Sequence, residues 1–397
     1  MEKLAILGGT PVRTKPISYG RQYIDNADIQ AVVDTLRSDY LTVGPKTKEL
    51  EEKLCKITGA KYCVAVSNGT AALHIAAIAA GIGPGDEVIT TPITFAASAN
   101  CVLYVGAKPV FADINPETYN IDPASIRACI TDKTKAIVAV DFTGQATELD
   151  EIRSICKEHN LVLIEDAAHS IGTKYNGVPV GNIADMTTFS FHPVKTVTAG
   201  EGGAVTTNDE ELYKKLVLAH THGITRDIAQ MKNPTDDPWY NEQVGFGYNY
   251  RITEFQAALL MSQLDKLDMF SKRRKEIVKT YDEAFADVPQ IQVQKEIPES
   301  DTTRHLYILR LHLEMLNCTR REFFDALRAE GISSQVHYLP VYWHSYYEGL
   351  GYPKGLCPEA EKYYQESMSL PLFYSMTDED VADVIFAVKK IIVYYAK

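Results

Sequence analysis

Short apolar runs alternate with amphipathic stretches of helical period through the first half of the chain. Several runs are apolar at consecutive positions, which is typical of parallel strands that are buried on both faces. The alternation of strand and helix patterns predicts a wound α/β sheet. The predicted strands are residues 62–66, 87–91, 109–114, 136–141, 161–165, 187–191 and 203–207, and the predicted helices between them include residues 70–80, 96–105, 148–159 and 210–219.

The pattern changes in the second half of the chain. Residues 253–287 show one long helical pattern without proline or glycine, and Pro289 follows as a stop signal. We expect a large domain at 26–252, followed by a long connecting helix and a small α+β domain at 253–397. Residues 1–25 are expected to associate with the small domain.

The composition is that of a globular protein, with 45% hydrophobic and 23% charged residues among 397. A formal net charge of −12 argues against a nucleic-acid partner. The seven cysteines show no Cys-x-x-Cys spacing, so we expect reduced thiols and no metal site. No apolar run reaches the ~18 residues of a membrane span and no signal peptide is evident, so we expect a cytoplasmic protein.

Lys195 stands out among the lysines because of its surroundings. It follows an apolar strand with Ser190 and His192 close before it, and a glycine-rich segment comes after it at 198–203. A lysine that forms an imine must be partly desolvated, so that its amine is neutral and nucleophilic near neutral pH. A solvent-exposed surface lysine is the alternative interpretation.

Asp166 lies at the end of another predicted strand, after four apolar residues. Ligands of open α/β sheets bind beyond the carboxyl ends of the strands. An aspartate there can pair with a protonated ring nitrogen and keep the ring of pyridoxal phosphate electron-withdrawing. Capping of the next loop or metal binding would explain the same residue. Taken together, Lys195 and Asp166 suggest a Schiff-base enzyme that uses pyridoxal phosphate.

Two further junctions could contact such a cofactor. At 67–70 a strand turns through Ser-Asn-Gly-Thr into an alanine-rich helix, whose free N–H groups and the Thr70 hydroxyl could bind a phosphate. A plain N-cap by Ser67 or Asn68 is the alternative. Phe95 follows the next strand, where it could stack on a planar ring or belong to the core.

These motifs together resemble the DegT/StrS family of sugar aminotransferases, which are fold type I pyridoxal-phosphate enzymes. The resemblance covers nearly the whole chain, including Leu-Thr-Val-Gly-Pro at 41–45 and Val-His-Tyr-Leu-Pro at 336–340. It implies a large domain with a mostly parallel seven-stranded sheet and a smaller α+β C-terminal domain. The His-Pro-Val-Lys version at 192–195 is most similar to the branch that serves pseudaminic acid biosynthesis, and Val-Asp-Phe-Thr-Gly at 140–144 supports that branch.

The resemblance also implies roles for single residues. Lys195 is expected to form the imine with the cofactor and to shuttle the proton, while Asp166 pairs with the pyridine nitrogen and His169 lies near the ring hydroxyl. The other implied cofactor contacts are Phe95 on the ring, Gly69, Thr70 and Ser190 on the phosphate, and Asn249 on the phosphate of the neighbouring subunit. An active site shared in this way implies a homodimer. The candidates for substrate binding are Arg226, Arg251 and Tyr338, for which surface, salt-bridge or packing roles are the alternatives.

The branch implies amino transfer from L-glutamate to the C4 keto group of a UDP-linked 4-keto-6-deoxy-N-acetylhexosamine. Another UDP- or dTDP-keto-sugar is the alternative substrate. The alternative classes of protein are a pyridoxal-phosphate-dependent sugar dehydratase or epimerase and a non-catalytic regulatory or binding protein. Because relatives that are dehydratases carry histidine in place of the lysine, Lys195 favours transamination.

Overall fold

The computed structural model describes residues 3–397. The helices are α1 Asn26–Leu36, α2 Pro45–Thr58, α3 Gly69–Ala79, α4 Ala97–Tyr104, α5 Pro123–Cys129, α6 Leu149–His159, α7 Glu210–His220, α8 Glu254–Leu264, α9 Leu267–Phe285, α10 Arg320–Ala329, α11 Ser345–Gly349, α12 Pro358–Glu366 and α13 Asp378–Tyr395. The strands are β1 Tyr62–Val66, β2 Glu87–Thr90, β3 Lys108–Phe111, β4 Thr134–Val140, β5 Val162–Asp166, β6 Lys174–Tyr175, β7 Val178–Pro179, β8 Met186–Ser190, β9 Gly203–Thr207, β10 Ile224–Thr225, β11 Glu242–Gln243, β12 Ile291–Val293, β13 Ser300–Asp301, β14 Tyr307–Leu311 and β15 Ser367–Leu370.

The central sheet has seven strands in the order β1-β9-β8-β5-β4-β2-β3. Strands β3, β2, β4, β5 and β8 run parallel to one another, whereas β9 is antiparallel to both β1 and β8. All seven predicted strands are present, with ends shifted by up to three residues. The predicted fold class, an α/β protein with a mostly parallel seven-stranded sheet, is confirmed.

Helices cover both faces of this sheet, so alternate side chains of one strand enter different cores. On β5, Leu163 packs into a core with residues of α2, α6 and α8, whereas Ile164 packs into a second core with residues of α3, α4 and α7. Burial on both faces explains why the strands show consecutive apolar positions.

A separate hydrophobic core lies in the C-terminal region, around the three-stranded sheet β12-β14-β15 and helices α10 and α13. Leu4 and Ile17 from the N-terminal segment belong to this core. The carboxylate of Glu330 accepts hydrogen bonds from the backbone of Ala5 and Val12, at 2.9 and 3.0 Å. These contacts support a division into residues 1–25, 26–252 and 253–397, which we retain as a proposal.

The single long helix predicted at 253–287 is two helices, which is a correction to the sequence interpretation. Helix α8 ends at Leu264, α9 begins at Leu267, and Lys266 between them has non-helical angles of φ −105° and ψ 3°. The Lys266 amine pairs with Asp25 at 2.7 Å and Asp28 at 2.8 Å. These partners lie far away in sequence, so no local signal such as glycine or proline marks the break.

Within residues 3–397, no helix has both the length and the apolar character that crossing a membrane requires.

Candidate active site

Several of the predicted site residues lie at the carboxyl ends of the parallel strands, at one edge of the sheet. Strand β5 ends at Asp166 and its neighbour β8 ends at Ser190, while the loop after β2 carries Phe95. Lys195 lies in the connection between β8 and β9, which begins after Ser190 and returns at Gly203. The sheet topology therefore brings together segments that are up to about a hundred residues apart in the chain.

Asp166 is a buried carboxylate with defined partners. Its Oδ2 accepts a hydrogen bond from the Ser98 Oγ at 2.6 Å, and its Oδ1 accepts one from the backbone N–H of Ala168 at 3.2 Å. Burial raises the pKa of Asp166, and these two hydrogen bonds and the positive charge of Lys195 counteract the rise. The site therefore favours a cationic partner for this carboxylate.

Lys195 is half-buried, and its backbone N–H donates to the carbonyl of His192 at 2.9 Å. Burial lowers the pKa of the Lys195 amine to about 8, although the negative charge of Asp166 opposes this shift. About a tenth of the amine is therefore neutral at pH 7, as a nucleophile or a general base requires.

Three histidines surround the same region: His169 after β5, and His305 and His337 from the small domain. The ring centroids of His169 and His305 are 4.4 Å apart, and the Tyr338 hydroxyl lies 3.4 Å from the His169 Nε2. Burial, followed by the charge of Lys195, lowers the pKa of His169 well below its usual range. Burial likewise lowers the pKa of His337 to about 4. Both rings are therefore neutral at neutral pH.

The turn at 67–70 forms a backbone cradle against β8. The Asn68 side chain caps α3 by accepting the Ala71 N–H at 2.8 Å, which is the N-cap considered as an alternative above. The N–H groups of Gly69 and Thr70 remain without a partner among residues 3–397. A Cβ at Gly69 would lie 2.8 Å from the Ser190 Cβ and 3.1 Å from its Oγ. The N-cap therefore leaves two N–H donors that are available to an anion at this helix N-terminus.

Phe95 is 64% exposed, although it follows a buried strand. Its backbone carbonyl accepts a hydrogen bond at 3.2 Å from the backbone N–H of Ser98, the serine whose hydroxyl donates to Asp166. An exposed aromatic side chain connected to Asp166 in this way is available to stack on a ring bound beside the carboxylate.

Of the remaining predicted residues, Tyr338 contacts this cluster through His169. Arg226 and Asn249 are exposed. Arg251 is half-buried and donates to the Thr221 Oγ1 at 3.1 Å. The backbone of Arg251 forms a bridge with Val66 at the end of β1. The roles of these residues in binding phosphate or substrate stay predictions.

Sequence reasoning missed three residues of this cluster: Ser98, His305 and His337. Ser98 lies 68 positions before Asp166 and His305 lies in the other domain, so neither shows a local signal. His337 stands inside the motif at 336–340, where only Tyr338 was assigned a role. Its Nδ1 lies 2.7 Å from the Ser369 Oγ of β15.

The arrangement fits a phosphorylated, planar cofactor with a basic ring nitrogen. The cradle at Gly69 and Thr70 offers N–H donors to a phosphate, and Asp166 offers a buried negative charge. The buried Nδ1 of His169 has no hydrogen-bond partner among residues 3–397, so the ring can bind a polar group of a ligand. Pyridoxal phosphate has these features, and its aldehyde suits the amine of Lys195.

Comparison with known proteins gives a consistent result. Residues 22–389 match the model of the DegT/DnrJ/EryC1/StrS aminotransferase family. The spore coat polysaccharide biosynthesis protein SpsC of Bacillus subtilis is 42% identical over 95% of this chain and 97% of its own length. A UDP-4-amino-4,6-dideoxy-N-acetyl-beta-L-altrosamine transaminase of Campylobacter jejuni is 38% identical over 94% of this chain and 97% of its own length.

Among solved structures, this chain is similar to Helicobacter pylori PseC, an aminotransferase involved in pseudaminic acid biosynthesis. The TM-score is 0.88 at 34% identity, and the match covers 96% of this chain and all of PseC. Solved relatives include a form that carries pyridoxal phosphate. The chain therefore belongs to the DegT/DnrJ/EryC1/StrS aminotransferase family and is a pyridoxal-phosphate-dependent sugar aminotransferase.

Proposed function

We propose that the protein transfers an amino group from L-glutamate to the C4 keto group of a UDP-linked 4-keto-6-deoxy-N-acetylhexosamine. The observation that carries this proposal is the 38% identity, over 94% of the chain, to transaminases named for a UDP-4-amino-4,6-dideoxy-N-acetyl-altrosamine product. The similarity to PseC supports it. The greater identity of SpsC, at 42%, makes another nucleotide keto-sugar the second candidate substrate.

The chemistry divides between the cofactor and the chain. Pyridoxal phosphate, when bound, supplies an electron-withdrawing ring that stabilises the carbanion left when an amino acid loses its α-proton. Lys195 is the proposed nucleophile for the cofactor aldehyde and then the base that moves the proton, because its pKa of about 8 lets it accept and return a proton near neutral pH. Asp166 is proposed to hold the ring nitrogen in its protonated form.

The phosphate and the ring position are proposed to depend on the residues that line the cleft. The N–H groups of Gly69 and Thr70, with the Ser190 hydroxyl beside them, bind the phosphate at the N-terminus of α3. Phe95 covers one face of the ring. His169 is neutral and binds near the ring hydroxyl without adding a positive charge that would compete with the protonated ring nitrogen for Asp166.

We further propose a homodimer in which Asn249 reaches the cofactor phosphate of the second subunit. Exposed apolar side chains lie near this residue in the chain: Phe246 is 77% exposed and Trp239 is 74% exposed. The segment around Asn249 forms backbone bridges to Thr221 and, two residues later, to Val66 at the end of β1. An apolar surface next to the cradle favours cover by another subunit.

The mass of the product identifies the sugar substrate. The loaded protein is incubated with ¹⁵N-glutamate and a panel of UDP- and dTDP-linked keto-sugars, and the products are identified by mass spectrometry. We expect labelled amine on the UDP-linked 4-keto-6-deoxy-N-acetylhexosamine, with little or no product from the dTDP-sugars. Efficient amination of a dTDP-sugar alone would overturn the substrate, and loss of water without labelled nitrogen would indicate the dehydratase alternative.

A further inference from the structure

Two carboxyl groups that the proposed chemistry does not use lie buried beside Asp166. Strands β4 and β5 pair in register, with Ala139 opposite Glu165 and Val140 opposite Asp166. Asp141 directly follows β4, and its backbone N–H donates to the Asp166 carbonyl at 3.1 Å. The side chains of both Asp141 and Glu165 are completely buried.

Both carboxyl groups accept hydrogen bonds from uncharged donors. The Oδ2 of Asp141 accepts from the Ser170 Oγ at 2.6 Å, and its Oδ1 accepts from the Thr147 N–H at 3.0 Å. The Oε2 of Glu165 accepts from the Thr187 Oγ1 at 2.8 Å. The Oε1 of Glu165 has no partner among residues 3–397, and in the same range neither carboxyl forms an ion pair with lysine, arginine or histidine.

Two buried carboxylates without a cation cannot both be ionised at low cost. Burial is the main effect that raises the pKa of Asp141 and of Glu165, and their mutual interaction raises that of Asp141 further. The negative charge of Asp166, the next residue in the chain, adds repulsion to Glu165. The N–H groups of Thr147 and Gly181 and the hydroxyls of Ser170 and Thr187 favour the charged forms. A proton held between the two groups removes one charge and gives the unpartnered Glu165 oxygen a donor.

We propose that Asp141 is a neutral carboxylic acid that donates its proton to Glu165, and that this pair positions the cofactor-binding loop 167–170. Ser170, which binds Asp141, directly follows His169 and thus connects the pair to the ring that faces Tyr338. Of the three carboxyl groups, Asp166 is then the one that carries a negative charge next to Lys195. Asp141 and Glu165 are positioning residues, since they are proposed to act on the cofactor only through Asp166 and the loop 167–170.

Stability against pH tests the shared proton without substrate or cofactor. The folded wild type keeps a proton on Asp141 that the unfolded chain loses above its ordinary pKa, so its stability must fall as the pH rises. Asp141→Asn has a similar shape and no such proton. We expect the folding equilibrium constant of the wild type, relative to that of Asp141→Asn, to fall about tenfold per pH unit between pH 5 and pH 8. A pH-independent ratio would overturn the proposal.

Infrared spectroscopy of the apoprotein provides a second measurement. At pH 8 we expect the carbonyl stretch of a protonated carboxylic acid in the wild type, and we expect Asp141→Asn to lack it. If Asp141→Asn does not fold, the wild-type band alone keeps the proposal testable, because its absence at pH 8 contradicts a neutral Asp141.

Positioning is tested by the spectrum of the bound cofactor. We expect Asp141→Ala to shift the pH midpoint of the lysine-bound cofactor's absorbance and Asp141→Asn to restore it, because the amide can still accept from Thr147 and donate to Glu165. A wild-type midpoint in Asp141→Ala would show that the pair does not position the site. This result is independent of the sugar substrate, so it can fail while the proposed function holds.

Discussion

The hydroxyl of Ser98 donates a 2.6 Å hydrogen bond to the buried Oδ2 of Asp166. Ser98 lies in the first turn of α4 and is 1% exposed, so no water replaces it as a donor. Because the backbone N–H of Ser98 also donates to the Phe95 carbonyl at 3.2 Å, one residue connects the proposed ring-stacking side chain to the carboxylate. The hydrogen bond from Ser98 therefore stabilises the negative charge of Asp166 and fixes the position of its carboxylate.

Replacing Ser98 by alanine removes a donor from a buried charged acceptor. We expect Ser98→Ala to lose about 1–3 kcal/mol in free energy of unfolding, measured by urea denaturation at neutral pH. We also expect weaker binding of pyridoxal phosphate, because the loss of this donor raises the pKa of Asp166 further and reduces its negative charge. Ser154→Ala is the matched control, since Ser154 donates to Glu158 at the exposed surface. Equal effects of the two substitutions would contradict the role of Ser98.

The reactivity of Lys195 in the apoprotein should follow its lowered pKa. The amine is protonated below pH 8 and neutral above it, so the rate of imine formation with added pyridoxal phosphate should rise about tenfold per pH unit below the inflection and level off above it. Stopped-flow absorbance measures this rate. Lys195→Ala should show no such phase and no turnover, whereas the exposed Lys157→Ala should behave as wild type. An inflection near the ordinary lysine value of 10.5 would contradict the desolvated amine.

A side chain at Gly69 should weaken cofactor binding. A Cβ there lies 2.8 Å from the Ser190 Cβ, so the cradle must widen, and strain of about 1–3 kcal/mol corresponds to a loss of affinity of about 5- to 150-fold. Titration of the apoprotein with pyridoxal phosphate measures the affinity of Gly69→Ala. Gly83→Ala provides a glycine control, because nothing lies within 4 Å of its added Cβ. Unchanged affinity in Gly69→Ala would argue against a phosphate in this cradle.

Mixing two inactive variants tests the shared active site. Asn249→Asp should repel the phosphate of the second subunit, and Lys195→Ala should inactivate its own site. In a hybrid dimer, one site then has both an intact lysine and an intact asparagine, so random exchange of subunits should restore about a quarter of wild-type activity. Activity is assayed before and after exchange, with each variant alone as the control. No recovery in proven hybrids would indicate that Asn249 does not act across subunits.

The sequence predicted those parts of the structure that depend on local patterns. The bounds of β1 and β9 agree with the prediction, because their apolar runs are bordered by turn residues. The position of Asp166 at the carboxyl end of a buried strand could be predicted because apolar residues precede it in an unbroken run.

What could not be predicted depends on contacts between distant segments. His305 approaches His169 only after the small domain packs against the large one. The break between α8 and α9 coincides with the pairing of Lys266 with Asp28, more than two hundred residues earlier. Side-chain contacts between such distant residues are determined by the folded topology, and no local pattern in a single sequence indicates them.

The connection that carries Lys195 leaves the sheet at Ser190 and re-enters it at Gly203, and these two residues are paired neighbours. The Lys195 amine therefore lies on a loop whose two ends meet in the sheet. The pairing of β8 with β9 does not depend on the residues of that loop. During evolution, the residues of such a loop can change with little effect on the stability of the sheet. A single scaffold of this kind can therefore give rise to enzymes of different reaction types.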